Sequence, residues 1–258
     1  MNYSSIADLY DICVSATFDI PFFLKEATQN GGDVLELMSG TGRVSLPLIE
    51  AGVRLTCVDL SPEMLAVLRN KLVRRGLSAP VYAMNVCQLD LDKQFDLVLI
   101  PFNSFAEITE TASQQSALAR IYQHLKPSGR FICTLHNPAI RAASVDNQLQ
   151  LWGQYPMPDG KGTLMFWGCQ EFEQDGKTVS GVEFFEEYDP QGLLLAKHFI
   201  SLRFVLLSQD EFETLAVAAG FTVRALYGDY TWSPFQAATS PYMVWELEKP
   251  GQVSASGL

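Results

Sequence analysis

The chain has 258 residues, 48% of them hydrophobic and 18% charged, with a formal net charge of −11. That is enough apolar material for one large α/β domain, or one domain with an insertion. It excludes a membrane span, because no uncharged apolar run reaches the length one requires, and the acidic balance shows no basic stripe for nucleic acid.

Residues 1–29 carry two helical pieces, "SSIADLYDIC" and "FDIPFFLKEATQ", and the opening "MNYSSIADLYD" lacks the basic region and apolar core of a secretory signal. Apolar runs then recur at 33–38, 53–58, 80–84, 95–100 and 130–135, with helical patterns between them at 42–51, 61–75 and 111–125. Continuous apolar strands separated by helices predict a parallel sheet covered on both faces. "SPEML" starts a helix well: Ser61 caps, Pro62 fits the first turn and Glu63 suits the positive end. The basic "LRNKLVRRG" at 68–76 reads as the solvated face of that helix.

After "HNP" at 136–138 the pattern changes. Residues 139–162 are polar and rich in turn formers, including "GQYPMPDGKG". Three strand-like runs follow, near 163–174, 177–188 and 193–206, joined by the turns "QDGK" and "DPQG", which predicts an antiparallel meander. The alternation resumes with helix "SQDEFETLAVAAG", strand "FTVRALYG", loop "DYTWSPFQAATSP" and a last strand "YMVWELEK". The expected division is a helical lid at 1–30, an α/β domain at 31–138 and 207–250, an inserted substrate-covering subdomain at 139–206, and a flexible tail at 251–258.

The cysteines Cys13, Cys57, Cys87, Cys133 and Cys169 are odd in number and form no C-x-x-C pair, which argues against a disulfide framework and a zinc site. A reducing, cytoplasmic setting is expected, with no metal.

The chemistry concentrates in "VLELMSGTGR" at 34–43 and "VDLSPEML" at 58–65. A strand that ends in "SGTG" and enters a helix lets the backbone approach a ligand closely and offers free N–H groups. Asp59, ending the next strand, is placed to accept hydrogen bonds from a ribose diol. Alone, Glu36 has a second reading as a helix-facing or capping carboxylate; with Gly40, Gly42 and Asp59 it reads as part of a ligand site. A dinucleotide turn wants G-x-G-x-x-G, and the third glycine is missing here, where Ser45 stands.

An acidic residue before a G-x-G turn, and a second after the next strand, resembles the class I S-adenosylmethionine-dependent methyltransferases. The resemblance extends along nearly the whole chain, through "LKPSGRF" and "AAGF". It implies a seven-stranded, doubly wound Rossmann-like α/β sheet with its last strand antiparallel, and an antiparallel β insertion forming a lid. It also implies S-adenosylmethionine as cofactor and S-adenosylhomocysteine as product. The expected cofactor contacts are Tyr10, Glu36, Met38, Gly40, Thr41, Gly42, Arg43, Asp59, Leu60 and Met64, then Asn85, Val86 and Cys87 beside the adenine, and Pro101. Asn85 stands where the family often has aspartate.

Methyl transfer from a sulfonium is an in-line displacement that needs alignment and exclusion of water more than acid–base machinery. An amine must still lose a proton. Asn103, in "PFNSF", is expected to orient the reactants, with Phe102 and Phe105 packing in the core. His136 is the candidate base; the other reading is an imidazole that fixes the next loop. His124 reads as a surface residue near a helix end, and His198 is left open. Tyr3, Asn137, Trp152, Trp167, Glu183, Tyr230 and Trp232 are the candidate substrate contacts. Glu183, Glu186 and Glu187 read either as an attraction for a cationic substrate or as an exposed acidic face.

The expected function is methylation of a small molecule at nitrogen, with resemblance to sugar-amine and small-amine N-methyltransferases. An oxygen acceptor is the alternative. Further alternatives are an NAD-dependent oxidoreductase and a non-catalytic binding module. The expected partner is a small cationic molecule, with neither nucleic acid nor membrane, on a monomer or homodimer.

Overall fold

The computed structural model describes residues 3–160 and 162–251. The expected flexible tail lies, beyond Gly251, outside the described residues. Among those residues no helix is long and apolar enough to cross a membrane.

Two helices come first, α1 (Ala7–Cys13) and α2 (Ile20–Asn30). The alternating part follows as β1 (Asp33–Leu37), α3 (Ser45–Glu50), β2 (Arg54–Asp59), α4 (Pro62–Arg74), β3 (Val81–Ala83), β4 (Phe95–Ile100), α5 (Thr111–His124) and β5 (Leu125–His136). A short helix α6 (Pro138–Arg141) leads into β6 (Gln150–Pro156), β7 (Thr163–Phe172), β8 (Thr178–Tyr188) and β9 (Leu194–Val205). The chain closes with α7 (Gln209–Ala218), β10 (Thr222–Tyr227) and β11 (Tyr242–Glu248).

The main sheet has the order β10-β11-β5-β4-β1-β2-β3. Its strands are parallel except β11, which runs antiparallel to both β5 and β10. Strand order reverses between β1 and β4, and in an open α/β sheet the ligand crevice forms at that switch, outside the carboxyl ends of the strands. This is the expected seven-stranded Rossmann-like sheet.

Local chemistry sets the helices on it. Ser61 Oγ accepts from the Met64 N–H at 3.2 Å with Pro62 in the first turn, so α4 starts where β2 delivers it. Met64, Leu65, Leu68 and Leu72 form one buried stripe on α4, each side chain contributing about 1.5–3 kcal/mol by burial. Ser208 and Glu211 close a reciprocal capping box on α7. On one face of the sheet Phe105, Phe131, Phe212 and Trp245 fill a single core; α2, α3 and α4 cover the other face through Phe22, Phe23, Leu48 and Leu65.

The second sheet has four antiparallel strands, in the order β6-β7-β8-β9, rather than the expected three. The extra strand, β6, lies in the stretch read as loop. It is an edge strand, broken by a bulge between Leu151 and Gly153 and ending in Pro156. An edge tolerates both, and both hide the alternation that marks a strand.

Candidate active site

The glycine turn rests on Asp59. Met38 and Gly40 follow β1 in left-handed backbone, at φ of 58° and 54°. Gly40 N–H donates to Asp59 Oδ2 and Ser61 N–H to Oδ1, both at 2.8 Å. Ser39 N–H donates to the Val58 carbonyl at 3.0 Å, so the ends of β1 and β2 are laced together. Burial raises the Asp59 pKa above the ordinary aspartate value, while these backbone N–H groups pull it down. Each carboxylate oxygen keeps a lone pair for a hydroxyl.

Above the strand ends lies a cavity of about 610 Å³, bordered by Met38, Gly40, Asp59, Leu60 and Met64. Asn85, Val86 and Cys87 border it after β3, and Ser104 and Glu107 after β4. Asn85 Oδ1 accepts from the Cys87 N–H at 2.9 Å, which fixes the turn after β3. A second cavity, of about 350 Å³, lies under the antiparallel sheet between Phe102, Trp152, Phe166, Phe185 and Glu183. A third, of about 40 Å³, is bordered by Glu36, Thr41, Arg43 and Pro101. Tyr10 borders all three cavities, and Tyr3 the two larger ones.

Helix α1 is strapped to the glycine turn. Thr41 Oγ1 donates to Asp11 Oδ1 at 2.6 Å, and Lys71 Nζ donates to the Thr41 carbonyl at 2.9 Å while pairing with Asp11 Oδ2 at 2.5 Å. Arg43 forks onto buried Asp19 at 2.5 and 2.6 Å and lies over the Phe102 ring, 4.4 Å from its centroid. Tyr3 and Tyr10 meet edge to face at 5.5 Å, and Tyr3 Oη donates to Glu107 Oε1 at 3.4 Å.

These groups sit in a dry setting. Burial pushes the Glu36 carboxyl up to about 8, although the Ser45 hydroxyl donates to it at 2.7 Å and Arg43 is near. Burial, and then the charge of Glu107, pushes Glu183 up to about 7. Burial likewise raises Glu107, Tyr3 and Tyr10 above their ordinary values.

The structure thus brings most of the expected residues to one cleft and leaves others outside it. Gly42, at φ 85°, faces Leu68 in the core rather than the cavities; a Cβ there would stand 2.3 Å from Leu68 Cδ1. Asn137 is buried and fully engaged: Nδ2 donates to the Ala237 and Ser240 carbonyls at 2.9 and 2.7 Å, and Oδ1 accepts from Ala139 N–H. Trp167 points to the outer face of its sheet, where Nε1 donates to Glu186 Oε2 at 3.1 Å. Tyr230 is buried among Phe18, Phe22, Phe23 and Tyr242. Trp232 Nε1 donates to Glu26 Oε1 at 2.8 Å beneath Lys25, because the loop before β11 folds over α2 instead of the rim.

His136 packs near Phe204 and borders none of the three cavities. Burial, with Arg141 beside it, pushes its imidazole down to about 3, a poor proton acceptor. Asn103 follows Phe102 in a doubled left-handed turn, φ 58° then 61°, held by its N–H donating to Thr134 Oγ1 at 3.0 Å. Among the described residues its buried amide oxygen has no hydrogen-bond partner, and Asn103 is likewise off the cavity walls. Phe105 is core, as expected, whereas Phe102 lines the cleft. His124 is buried instead of exposed: Leu91 N–H donates to Nε2 at 2.9 Å, which leaves Nδ1–H to donate to the Arg120 carbonyl at 2.7 Å.

Sequence reasoning missed Glu107 and Ser104, whereas Phe166 and Phe185, aromatic residues of the expected lid, line the second cavity. In "VEFFEEY" the alternation puts Phe185 on the same face as Glu183. Nothing local marks Glu107, which reaches the cleft through the turn after β4.

The model of a family described as a methyltransferase domain matches residues 34–129, which span β1 to the start of β5. Among curated relatives, the chain is 34% identical over 110 residues to a cypemycin N-terminal methyltransferase from Streptomyces, covering 43% of this chain and 44% of that one. The chain spans about half the length of several curated relatives it matches. Among solved structures, it is similar to an S-adenosylmethionine-dependent methyltransferase from Clostridium acetobutylicum, with a TM-score of 0.80, 19% identity, and coverage of 96% of this chain and 99% of that one. It is also similar to the CcbJ methyltransferase of Streptomyces caelestis, with a TM-score of 0.79, 24% identity, and coverage of 95% and 96%. The cofactor expected from the sequence, S-adenosylmethionine, is the one that goes with this domain and fold. Residues 34–129 therefore match a methyltransferase domain, on a chain that has the fold of the class I S-adenosylmethionine-dependent methyltransferases.

Proposed function

We propose that this chain methylates a small amine at nitrogen, using S-adenosylmethionine. The observation that carries the reading is the meeting of two unlike cavities at Tyr3 and Tyr10. One is bordered by Gly40, Asp59 and Asn85, the other by aromatic rings and a single carboxylate.

The residues fit the cofactor. Asp59 offers two engaged but unsaturated oxygens for a ribose diol, and Gly40 lets backbone approach the ligand: among the described residues only Met64 Cε would lie within 4 Å of a Cβ there. Asn85, Val86 and Cys87 would take the adenine. Met38, Thr41, Glu36 and Arg43 would take the amino acid end, and Pro101 with Phe102 the region between the cavities. Bound there, S-adenosylmethionine supplies an electrophilic methyl on a sulfonium. The chain's part is to align the acceptor with it and exclude water, which the lid sheet and the strapped α1 do by covering the cleft.

On this reading residues 1–30 and 139–206 form the cover, and the α/β part holds the cofactor. Nitrogen is preferred because the cleft is acidic, and because one relative is described as an N-terminal methyltransferase. The test is transfer of labelled methyl from S-adenosylmethionine to a panel of amines and matched alcohols. Transfer to amines is expected; transfer confined to alcohols would replace nitrogen with oxygen in this reading.

A further inference from the structure

Three glutamates stand in "VEFFEEY" on β8, and the structure gives them different fates. Glu186 is on the outer face, where it accepts from Trp167 Nε1 at 3.1 Å, Tyr188 Oη at 2.9 Å and Lys197 Nζ at 2.8 Å. Glu187 pairs with His198 Nε2 at 3.2 Å. Glu183 borders the second cavity and, among the described residues, has no hydrogen-bond or ion-pair partner.

Its surroundings are aromatic. Phe166 and Phe185 stack at 4.7 Å, and Trp152, turned inward by the bulge in β6, meets Phe166 edge to face at 5.3 Å. A carboxylate in such a pocket is costly unless a cation joins it. Arg43, the cation on Phe102, is already taken by Asp19. The rings offer their faces to a cation, while the carboxylate fixes its position.

We infer that Glu183 anchors a protonated amine substrate in this cavity and accepts its proton before methyl transfer. This rests on the N-methylation reading and adds to it the substrate's charge state and a proton acceptor. The ammonium N–H bond breaks as an O–H bond forms on Glu183, and the freed nitrogen lone pair bonds the methyl carbon while the carbon–sulfur pair leaves with sulfur. The product is a methylated ammonium, and the proton on Glu183 returns to solvent.

Among the described residues, the titratable groups that interact with Glu183 are Glu107 from the turn after β4, and Tyr3, Tyr10 and Cys13 from the N-terminal segment. The tyrosines and the cysteine are raised by burial and stay neutral, so the carboxyls carry the pH response. Glu183, lifted to about 7, holds a proton more readily than an ordinary glutamate and takes one from an amine at less cost.

The probe is benzyltrimethylammonium, titrated calorimetrically into the protein saturated with S-adenosylhomocysteine. The wild type should bind it, and near pH 6.5 should release a proton on binding, because the cation favours the ionised carboxyl. Glu183→Gln should weaken the cation about tenfold or more and abolish that release. It should keep its S-adenosylhomocysteine affinity, and Glu186→Gln should behave as wild type. A wild type that does not bind the cation, or binds it without releasing a proton, overturns the inference without any variant having to fold. So does equal cation affinity in Glu183→Gln. Failure of the wild type to bind S-adenosylhomocysteine instead contradicts the underlying cofactor reading.

Discussion

The backbone N–H of Gly40 donates to the Asp59 carboxylate at 2.8 Å, fastening the glycine turn after β1 to the end of β2. One side chain thus both shapes the turn and faces the larger cavity. Asp59→Asn keeps the size but offers one oxygen where Gly40 and Ser61 both donate. It should weaken S-adenosylhomocysteine by about 1–3 kcal/mol, read by calorimetry. Unchanged affinity in the folded variant would take Asp59 out of the cofactor site.

Gly42 serves the turn from the core side. Alanine there is opposed both by the φ of 85° and by Leu68, 2.3 Å from the new Cβ. Gly42→Ala should cost about 2–4 kcal/mol in urea denaturation. A loss below about 0.5 kcal/mol would mean that α4 shifts freely, contrary to its buried stripe.

Arg43 and Asp19 form a buried fork, Asp19 with no exposed surface. Arg43→Met strands the carboxylate and should destabilise the fold by about 3–5 kcal/mol. Adding Asp19→Asn removes the stranded charge and should recover part of that loss. If the double variant is no more stable than the single one, the charge pair is not the cause.

Glu36 gives a pH signature. Its folded pKa, pushed up to about 8, lies above the ordinary 4.5, so between those values the folded state binds more protons than the unfolded one. Its contribution is fully present below pH 4.5 and is lost as pH rises towards 8. Glu36→Gln, which keeps an acceptor for Ser45, should flatten that fall. Parallel stability–pH curves for wild type and variant over this window would show that Glu36 ionises normally.

The fold was legible because strand and helix periods alternate, and because the glycines, Asp59 and Ser61 act within a few residues of one another. The rim of the site was legible too, since parallel strands deliver their ends to one edge. Which way a side chain turns there was not. Asn137 and His136 lie at that edge, yet one is spent on the Ala237 and Ser240 carbonyls and the other sinks against Phe204. In the insertion a single step of parity separates Phe166, inside, from Trp167, outside. Only strand pairing, with its bulge at Leu151 and Gly153, decides that parity. Glu107 is hidden for a related reason: its place depends on the left-handed pair Phe102 and Asn103, and although asparagine favours that conformation, phenylalanine does not announce it.

The most direct measurement is calorimetric titration of the purified protein with S-adenosylhomocysteine beside NAD. Micromolar binding of the first, and none of the second, is expected from a cleft built on Gly40, Asp59 and Asn85. Binding of NAD in its place, or of neither, would contradict the account.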